Sequence, residues 1–594
     1  MSLKYGNTMK IIFTEAFEQL QEKLLSLSGE WDVTQTNKKV FRLNGGILNW
    51  YVTTGTIQFQ GQVDGKLFLE SKVKSLLYPG EYPVDEVAET IIGDNSATQA
   101  PEGVAIENIS TQYLDGEFEG SEIIIGVVSA VGTEVTRVIP PLKDRLSRFG
   151  YEVKEIKVSS LLSEVATASE YKRIKSLMEK GDELRKTTKN NAILAYGSAK
   201  LIKEARTGDN KKKAYIINSL KHPDEVETLR KIYGQGFYLF GIHSDKKRRL
   251  HYLTNDKGLT VIQATQLTDI DEYEKIPHGQ RTRDTYHLSD FFINFGKNDD
   301  QVKNTIQRFL ELIFSHPYKN PTFDEFSMFM AFSSSVRSGD LSRQVGAVIA
   351  KNQQILSTGA NECPVSGGGL YWAEIDNESG EVVDKVDGKD YTRNEDSNKS
   401  EQNDIIQSIL SNIKDIYGIE KGGIEKIQEV LEQSRIRDLT EFGRVVHAEM
   451  EAILSCSREG ISCVESTLYC TTFPCHNCAK HIIAAGISRV VYVEPYPKSK
   501  ALDFHSDSIE LKTKLDSTEQ TDQVTFEPFT GVGARRFLDF FSMNLGAGNK
   551  LKRKNKDGST VDWDKNNATI RVALLPKSYL DVEDNASKVF ESKT

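Results

Sequence analysis

Cysteine is scarce in this chain. There are six in 594 residues, too few and too scattered to frame a disulfide-stapled fold. Long apolar runs are missing as well. No stretch approaches the roughly 20 apolar residues that cross a bilayer, and no apolar leader is visible, so neither a membrane span nor a secretory signal is expected. Positive charge is in deficit too: 75 Lys and Arg stand against 85 Asp and Glu, a net charge of −10 with a pI of about 5.7. That balance argues against a broad basic face for long nucleic acid, but leaves room for a local basic pocket around a small phosphorylated ligand. The expected compartment is a reducing cytoplasm.

The length is too great for one core, and three or four domains are expected. Residues 1–90 read as a small α/β module of unassigned role. FTEAFEQLQEKLLSL has helical spacing, VFRL, ILNWYV and TIQFQGQ read as strands, and KLFLESKVKSLL as a closing helix. Trp31 and Trp50 are expected in its core. Residues 91–120 are polar, lack apolar periodicity and read as a linker. Residues 121–320 alternate strands with helices. SEIIIGVVSA, YEVKEIKV, AYIINSL, FYLFGIHS and HLSDFFINF predict a parallel, helix-covered sheet. Residues 321–594 form a last α/β unit with an insertion at 365–440, polar in its first half and helical in its second.

The chemistry concentrates between Val446 and Tyr496. His447 and Glu449 lie in VVHAEMEAIL, and Cys475 and Cys478 in TTFPCHNCAKHIIAAGI. Pro474 before the cysteines and Gly486 after the run predict a proline-opened, glycine-closed helix with both thiols in its first turn. A helix N-terminus favours thiolate, the form that binds zinc. One histidine and two thiolates leave the fourth tetrahedral position open for water, so Zn2+ is the expected cofactor. Glu449 is then free to act as proton carrier. A closed structural site would need a fourth ligand, for which Cys470 and His476 are the nearest candidates. The remaining cysteines, Cys363, Cys456, Cys463 and Cys470, are expected as buried apolar residues.

This H-x-E…P-C-x-x-C arrangement resembles the zinc-dependent base deaminases. With VGAVIA, ILSTGAN and VVYVEPY, it resembles the deoxycytidylate deaminases more than the nucleic-acid-editing relatives. The resemblance implies that Asn361 holds the deoxyribose and base. It places Ser342, Arg343 and Gln344 at the nucleotide phosphate, and Tyr492 and Tyr496 beside the substrate pocket; the alternative for Tyr492, which alternates with Val491 and Val493, is a place in the core. It implies a cytidine-deaminase-like three-layer α/β/α domain and a homo-oligomer. Residues 121–320 resemble P-loop nucleotide kinases, with Gly126, Ser129, Gly132 and Thr133 in the turn after the first strand. The lysine of G-x-x-x-x-G-K-[ST] is missing there, since Thr133 and Glu134 follow Gly132. The expectation is a regulatory nucleotide bound without phosphoryl transfer; the alternative is a vestigial structural domain. The basic run Lys246–Arg249 is expected as a solvated loop.

Together the two halves resemble bacterial antiphage proteins that join a kinase-like domain to a deoxycytidylate deaminase. That likeness implies zinc-dependent deamination of dCTP, dCMP or both, depletion of the deoxycytidine nucleotide pool, and restraint by an inhibitory RNA or protein partner. Two other readings stay open: a nucleic-acid cytosine or adenine deaminase on the same chemistry, and a non-enzymatic nucleotide-binding regulator.

Overall fold

The computed structural model describes residues 11–77 and 121–574, apart from short stretches that include 163–166, 207–211, 274–277, 296–298, 495–499 and 512–521. The linker read at 91–120 lies outside the described residues. The chain divides into two compact units, Met1–Ala105 and Ile106–Thr594.

In the first unit, five antiparallel strands lie in the order Ile11–Ile12, Thr56–Gly61, Gly46–Tyr51, Lys38–Leu43 and Glu30–Asp32. The helices are Phe17–Lys23 and Val63–Leu77. Alternation in the strands turns Phe41, Leu48 and Ile57 to one side, where Leu20, Leu69 and Val73 of the helices cover them. Trp50 is buried, and its ring N–H donates to the Phe13 carbonyl at 3.0 Å. Trp31 packs edge-on to Phe17 with ring centroids 4.9 Å apart.

The second unit contains two six-stranded sheets. The first has the order Gly531–Val532, Phe291–Asn294, Phe237–His243, Ile123–Ser129, Lys213–Leu220 and Glu152–Lys157. The five strands predicted between 121 and 320 are parallel, and Gly531–Val532 joins antiparallel to Phe291–Asn294. IIIGVVS and FYLFGIH are buried at every position, as expected of strands covered on both faces.

The second sheet runs Gln354–Ala360, Gly346–Lys351, Thr467–Cys470, Arg489–Tyr492, Val524–Pro528 and Ile509–Leu511. Gly346–Lys351 is antiparallel to both its neighbours, and the remaining pairings are parallel. Two glycines let helices lie directly on this sheet. A Cβ at Gly346 would sit 1.8 Å from the Ala331 carbonyl oxygen, and one at Gly359 would sit 2.1 Å from that of Ala448. The second contact seats the helix Ala448–Arg458, which carries Glu449.

The boundary drawn at 320 does not separate two cores. Ile124, Val128, Ile217 and Phe292 of the first sheet share one apolar cluster with Met328, Val348, Tyr469, Val491 and Phe529. The helix Phe323–Ser335 contributes Met328 and Ala331 to that cluster. The end of the chain then returns to the first sheet through Gly531–Val532 and through Arg536, whose guanidinium donates to the Phe237 and Gln235 carbonyls, each at 2.7 Å. Within the insertion, a short hairpin of Glu374–Ile375 and Val382–Val383 precedes the helices Ser397–Tyr417 and Lys421–Glu432.

Candidate active site

His447 is the N-cap of the helix Ala448–Arg458, and Cys475 is the N-cap of the helix His476–Ala484. Gly460 and Gly486, both at positive φ, follow the two helices. The two caps and Cys478 meet. His447 Nδ1 lies 3.3 Å from Cys478 Sγ and 3.4 Å from Cys475 Sγ. All three ligand atoms fall within 4.8 Å of one another. Tetrahedral zinc with ordinary Zn–N and Zn–S bonds sets such edges at about 3.5–3.8 Å, so this donor set fits the ion. Neither candidate for a closed site joins the cluster. The buried Cys470 thiol donates to the Thr472 carbonyl at 2.9 Å, and the His476 ring packs edge-on to Phe504 at 5.9 Å.

Electrostatics within the cluster already favour a thiolate. Hydrogen bonds from Cys478 and then His447 pull the Cys475 thiol down to about 4. The same contact with Cys475 lifts His447 to about 9. Glu449 is 3% exposed, and burial raises its pKa above the usual carboxylate value, with the Cys475 charge adding to the effect. A carboxyl group with a raised pKa takes up a proton more readily than a solvated one and lies closer to the working pH of a general acid–base.

The cluster opens into a cavity of about 1490 Å³ lined by His447, Glu449, Cys475, Ser342, Arg343 and Asn361 among others. Asn361 is buried, and its amide clamps the loop before Gly346. Its oxygen accepts from the Val345 N–H at 2.6 Å, and its nitrogen donates to the Arg343 carbonyl at 2.8 Å. Part of the donor and acceptor capacity expected for the sugar and base is thus spent on the loop.

Two expectations about the cavity wall need correction. Gln344 does not line the cavity; its amide donates to the Ser338 carbonyl at 2.9 Å, within its own loop. Tyr492 is core rather than pocket wall. It is 3% exposed, with its ring edge-on to Phe473 at 4.8 Å, because it alternates with Val491 on a strand buried on both faces. Tyr496 lies outside the described residues.

The turn expected to hold a nucleotide is occupied by the protein itself. A Cβ at Gly126 would meet the Phe237 ring at 2.7 Å, so that glycine serves packing within the sheet. The Val131 N–H donates to the Asp271 carboxylate at 2.9 Å, and the Thr133 N–H to the Ala130 carbonyl at 3.1 Å. Lys221 Nζ bridges the Ser129 carbonyl at 2.8 Å and Asp271 at 3.0 Å. Gly132, at φ +84°, lies against Arg249, whose guanidinium donates to the Val131 carbonyl at 3.1 Å. The basic run read as a solvated loop is therefore the helix Lys246–His251, with Arg249 buried and Arg248 paired to Glu134 at 2.7 Å. Asp271, Lys221 and Arg249 carry no local motif, and only the fold brings them to this turn.

A buried carboxylate beside a one-histidine, two-cysteine cluster defines a zinc-binding deaminase class. The profile described as the cytidine and deoxycytidylate deaminase zinc-binding region matches residues 321–494. Deoxycytidylate deaminase of Enterobacteria phage T4 is 31% identical over 171 residues, which cover 29% of this chain and 77% of that protein. Deoxycytidylate deaminase of Saccharomyces cerevisiae is 23% identical over 295 residues, 48% of this chain and 76% of its own. The dCMP deaminase of cyanophage S-TIM5, solved in apo form, is 20% identical, with 35% of this chain and 99% of that one covered at a TM-score of 0.19. The chain belongs to the cytidine and deoxycytidylate deaminase family. Among the described residues, no helix is long and apolar enough to cross a membrane.

Proposed function

We propose that the chain deaminates free deoxycytidine nucleotides, dCMP, dCTP or both, to the corresponding deoxyuridine nucleotides. The observation that carries this reading is the buried Glu449 beside the His447, Cys475 and Cys478 cluster in the wall of a cavity. His447, Cys475 and Cys478 would hold zinc, which supplies the positive charge that acidifies water to a pKa of about 7. Glu449 accepts a proton from the water that adds to C4 of cytosine. It returns protons to the ring nitrogen and to the departing amine, which leaves as ammonia. Asn361 fixes the loop that presents Ser342 and Arg343 to the nucleotide.

The first sheet serves as a scaffold in this reading, since Asp271 and Arg249 fill the turn that would otherwise take a phosphate. None of the six cysteines is in a disulfide, and a reducing cytoplasm is the setting that suits them. The physiological role we assign is depletion of the deoxycytidine nucleotide pool in antiphage defence. Family likeness supports that setting, as it supports a homo-oligomer and an inhibitory RNA or protein partner.

The test is ammonia release and product mass from dCMP, dCTP, CMP and single-stranded DNA, with wild type and Glu449→Ala. Wild type turns over the deoxynucleotides and not the strand. Glu449→Ala keeps its zinc and fold but loses at least about a hundredfold in rate, as expected for removal of a general acid–base. Near-normal turnover in that variant would refute the assigned mechanism, and preference for the strand would refute the substrate.

A further inference from the structure

The cavity over the ligand cluster, at about 1490 Å³, exceeds the roughly 300–1,000 Å³ of an ordinary small-ligand pocket. Part of its wall comes from outside the quoted motifs: Arg435 and Arg437 lie in the insertion, within the matched residues 321–494, and Arg281 lies before them.

Most cations in this wall have partners. Arg281 donates to Asp284 at 2.7 Å, Lys500 pairs with Asp503 at 2.7 Å, Arg283 pairs with Glu494, and Arg437 donates to Asn403 at 2.7 Å. Arg343 and Arg435 are exposed residues, and among the described residues their guanidinium groups make no ion pair or hydrogen bond. Two wall carboxylates, by contrast, are engaged by backbone. Asp340 accepts from the Ser342 and Arg343 N–H groups at 2.8 and 2.9 Å, and Asp396 accepts from Lys399 N–H at 2.9 Å. Backbone N–H groups stabilise these two carboxylates without cancelling their charge, whereas Arg343 and Arg435 keep guanidinium donors open toward the cavity.

We propose that Arg435, acting with Arg343, grips the phosphate end of the nucleotide, which makes the insertion 365–440 a substrate-recognition element. The proposal rests on the deaminase reading above. A guanidinium presents a planar fork of donors that matches phosphate oxygens two at a time, so unpaired arginines in a cavity wall suit this ligand better than lysines would. The base sits at Glu449, and the volume admits a phosphate chain reaching toward the insertion. Arg435 lies outside every motif, and its role is legible only from the shared cavity.

The experiment is steady-state kinetics on the zinc-loaded full chain with dCMP and dCTP, comparing wild type, Arg435→Gln and Arg435→Lys. Arg435→Gln should raise KM about tenfold or more, the scale of one lost charge-assisted hydrogen bond. Its kcat should stay within about twofold, because binding and not the chemical step is altered. Arg435→Lys should recover part of the loss. Inorganic tripolyphosphate should compete with substrate in wild type and weaken by a similar factor in Arg435→Gln. Unchanged KM and unchanged inhibition, or a fall in kcat alone, would overturn the proposal. If wild type turns over neither nucleotide, the deaminase reading fails first. Calorimetric binding of tripolyphosphate to wild type and Arg435→Gln then decides the grip by itself, with equal affinities refuting it.

Discussion

Asn361 illustrates how one side chain can be read for the right place and only part of its task. Its number came from the GAN turn, and the cavity does include it. Its amide, however, already bridges Val345 and Arg343. Removing it leaves two backbone groups without their partner, and unsatisfied buried groups of this kind cost about 1–3 kcal/mol each. The loop bearing Ser342 and Arg343 would then lose its anchor. Asn361→Ala should lower kcat/KM about tenfold or more, since geometry lost in a site wall is felt in the transition state. Cys363→Ala should do less. That thiol is buried, donates to Asp390 at 3.3 Å and points into no cavity described above. Equal losses in two equally folded variants would show that the clamp is not what matters. The meeting of His447, Cys475 and Cys478 was legible in the sequence, because each motif is local to a helix start. For Tyr492 the sequence left pocket wall and core both open, because a strand residue's surroundings depend on which sheet face is covered, and here both are.

At the scale of elements, the five parallel strands were legible because apolar runs such as IIIGVV and FYLFGI leave no polar face to expose. The helix Lys246–His251 was not. Four consecutive cations look solvated until Glu134 and the Val131 carbonyl are placed beside them. The strand Phe237–His243 carries a related consequence. His243 is buried at its end, and burial, reinforced by the Arg249 charge, pulls its pKa down to about 4. An unfolded histidine titrates near 6.5. Below that pH the unfolded chain takes up a proton that the folded chain refuses. The contribution is thus complete above about 6.5 and is lost as pH falls toward 4. At pH 5 the loss from this residue is about 2 kcal/mol. Denaturant unfolding at pH 7.5 and pH 5 measures it: the drop in stability should be smaller in His243→Gln by about that amount. An identical drop in both proteins would show that His243 is protonated in the fold.

For the whole molecule, the sequence suggested a boundary near 320, because the two halves carry different motifs and each has its own run of strands. Topology decides otherwise, since the last segment of the chain returns to the first sheet, and no local pattern announces a strand as short as Gly531–Val532. Arg536 is the test of that continuity. It is 3% exposed, donates to the carbonyls of Gln235 and Phe237, and lies 3.6 Å from the buried Asp290. Asp290 also accepts from Leu239 N–H at 2.8 Å and from Arg230 at 3.0 Å. Arg536→Leu would strip several buried acceptors of their donor at once, a change that costs about 3–5 kcal/mol when a buried charged partner is left behind. Because the sheets share one apolar cluster, that loss should reach the zinc end of the molecule. In a unit of this size it corresponds to a fall in melting temperature of roughly 3–5 °C. Near-ultraviolet circular dichroism reports tertiary melting, and a chelating dye reports zinc release. In the zinc-loaded wild type the two should coincide, and in Arg536→Leu both should move down together. If Arg536→Leu lowers the tertiary transition of the second unit but leaves zinc release at the wild-type temperature, the halves are separate folding units and the shared core does not couple them.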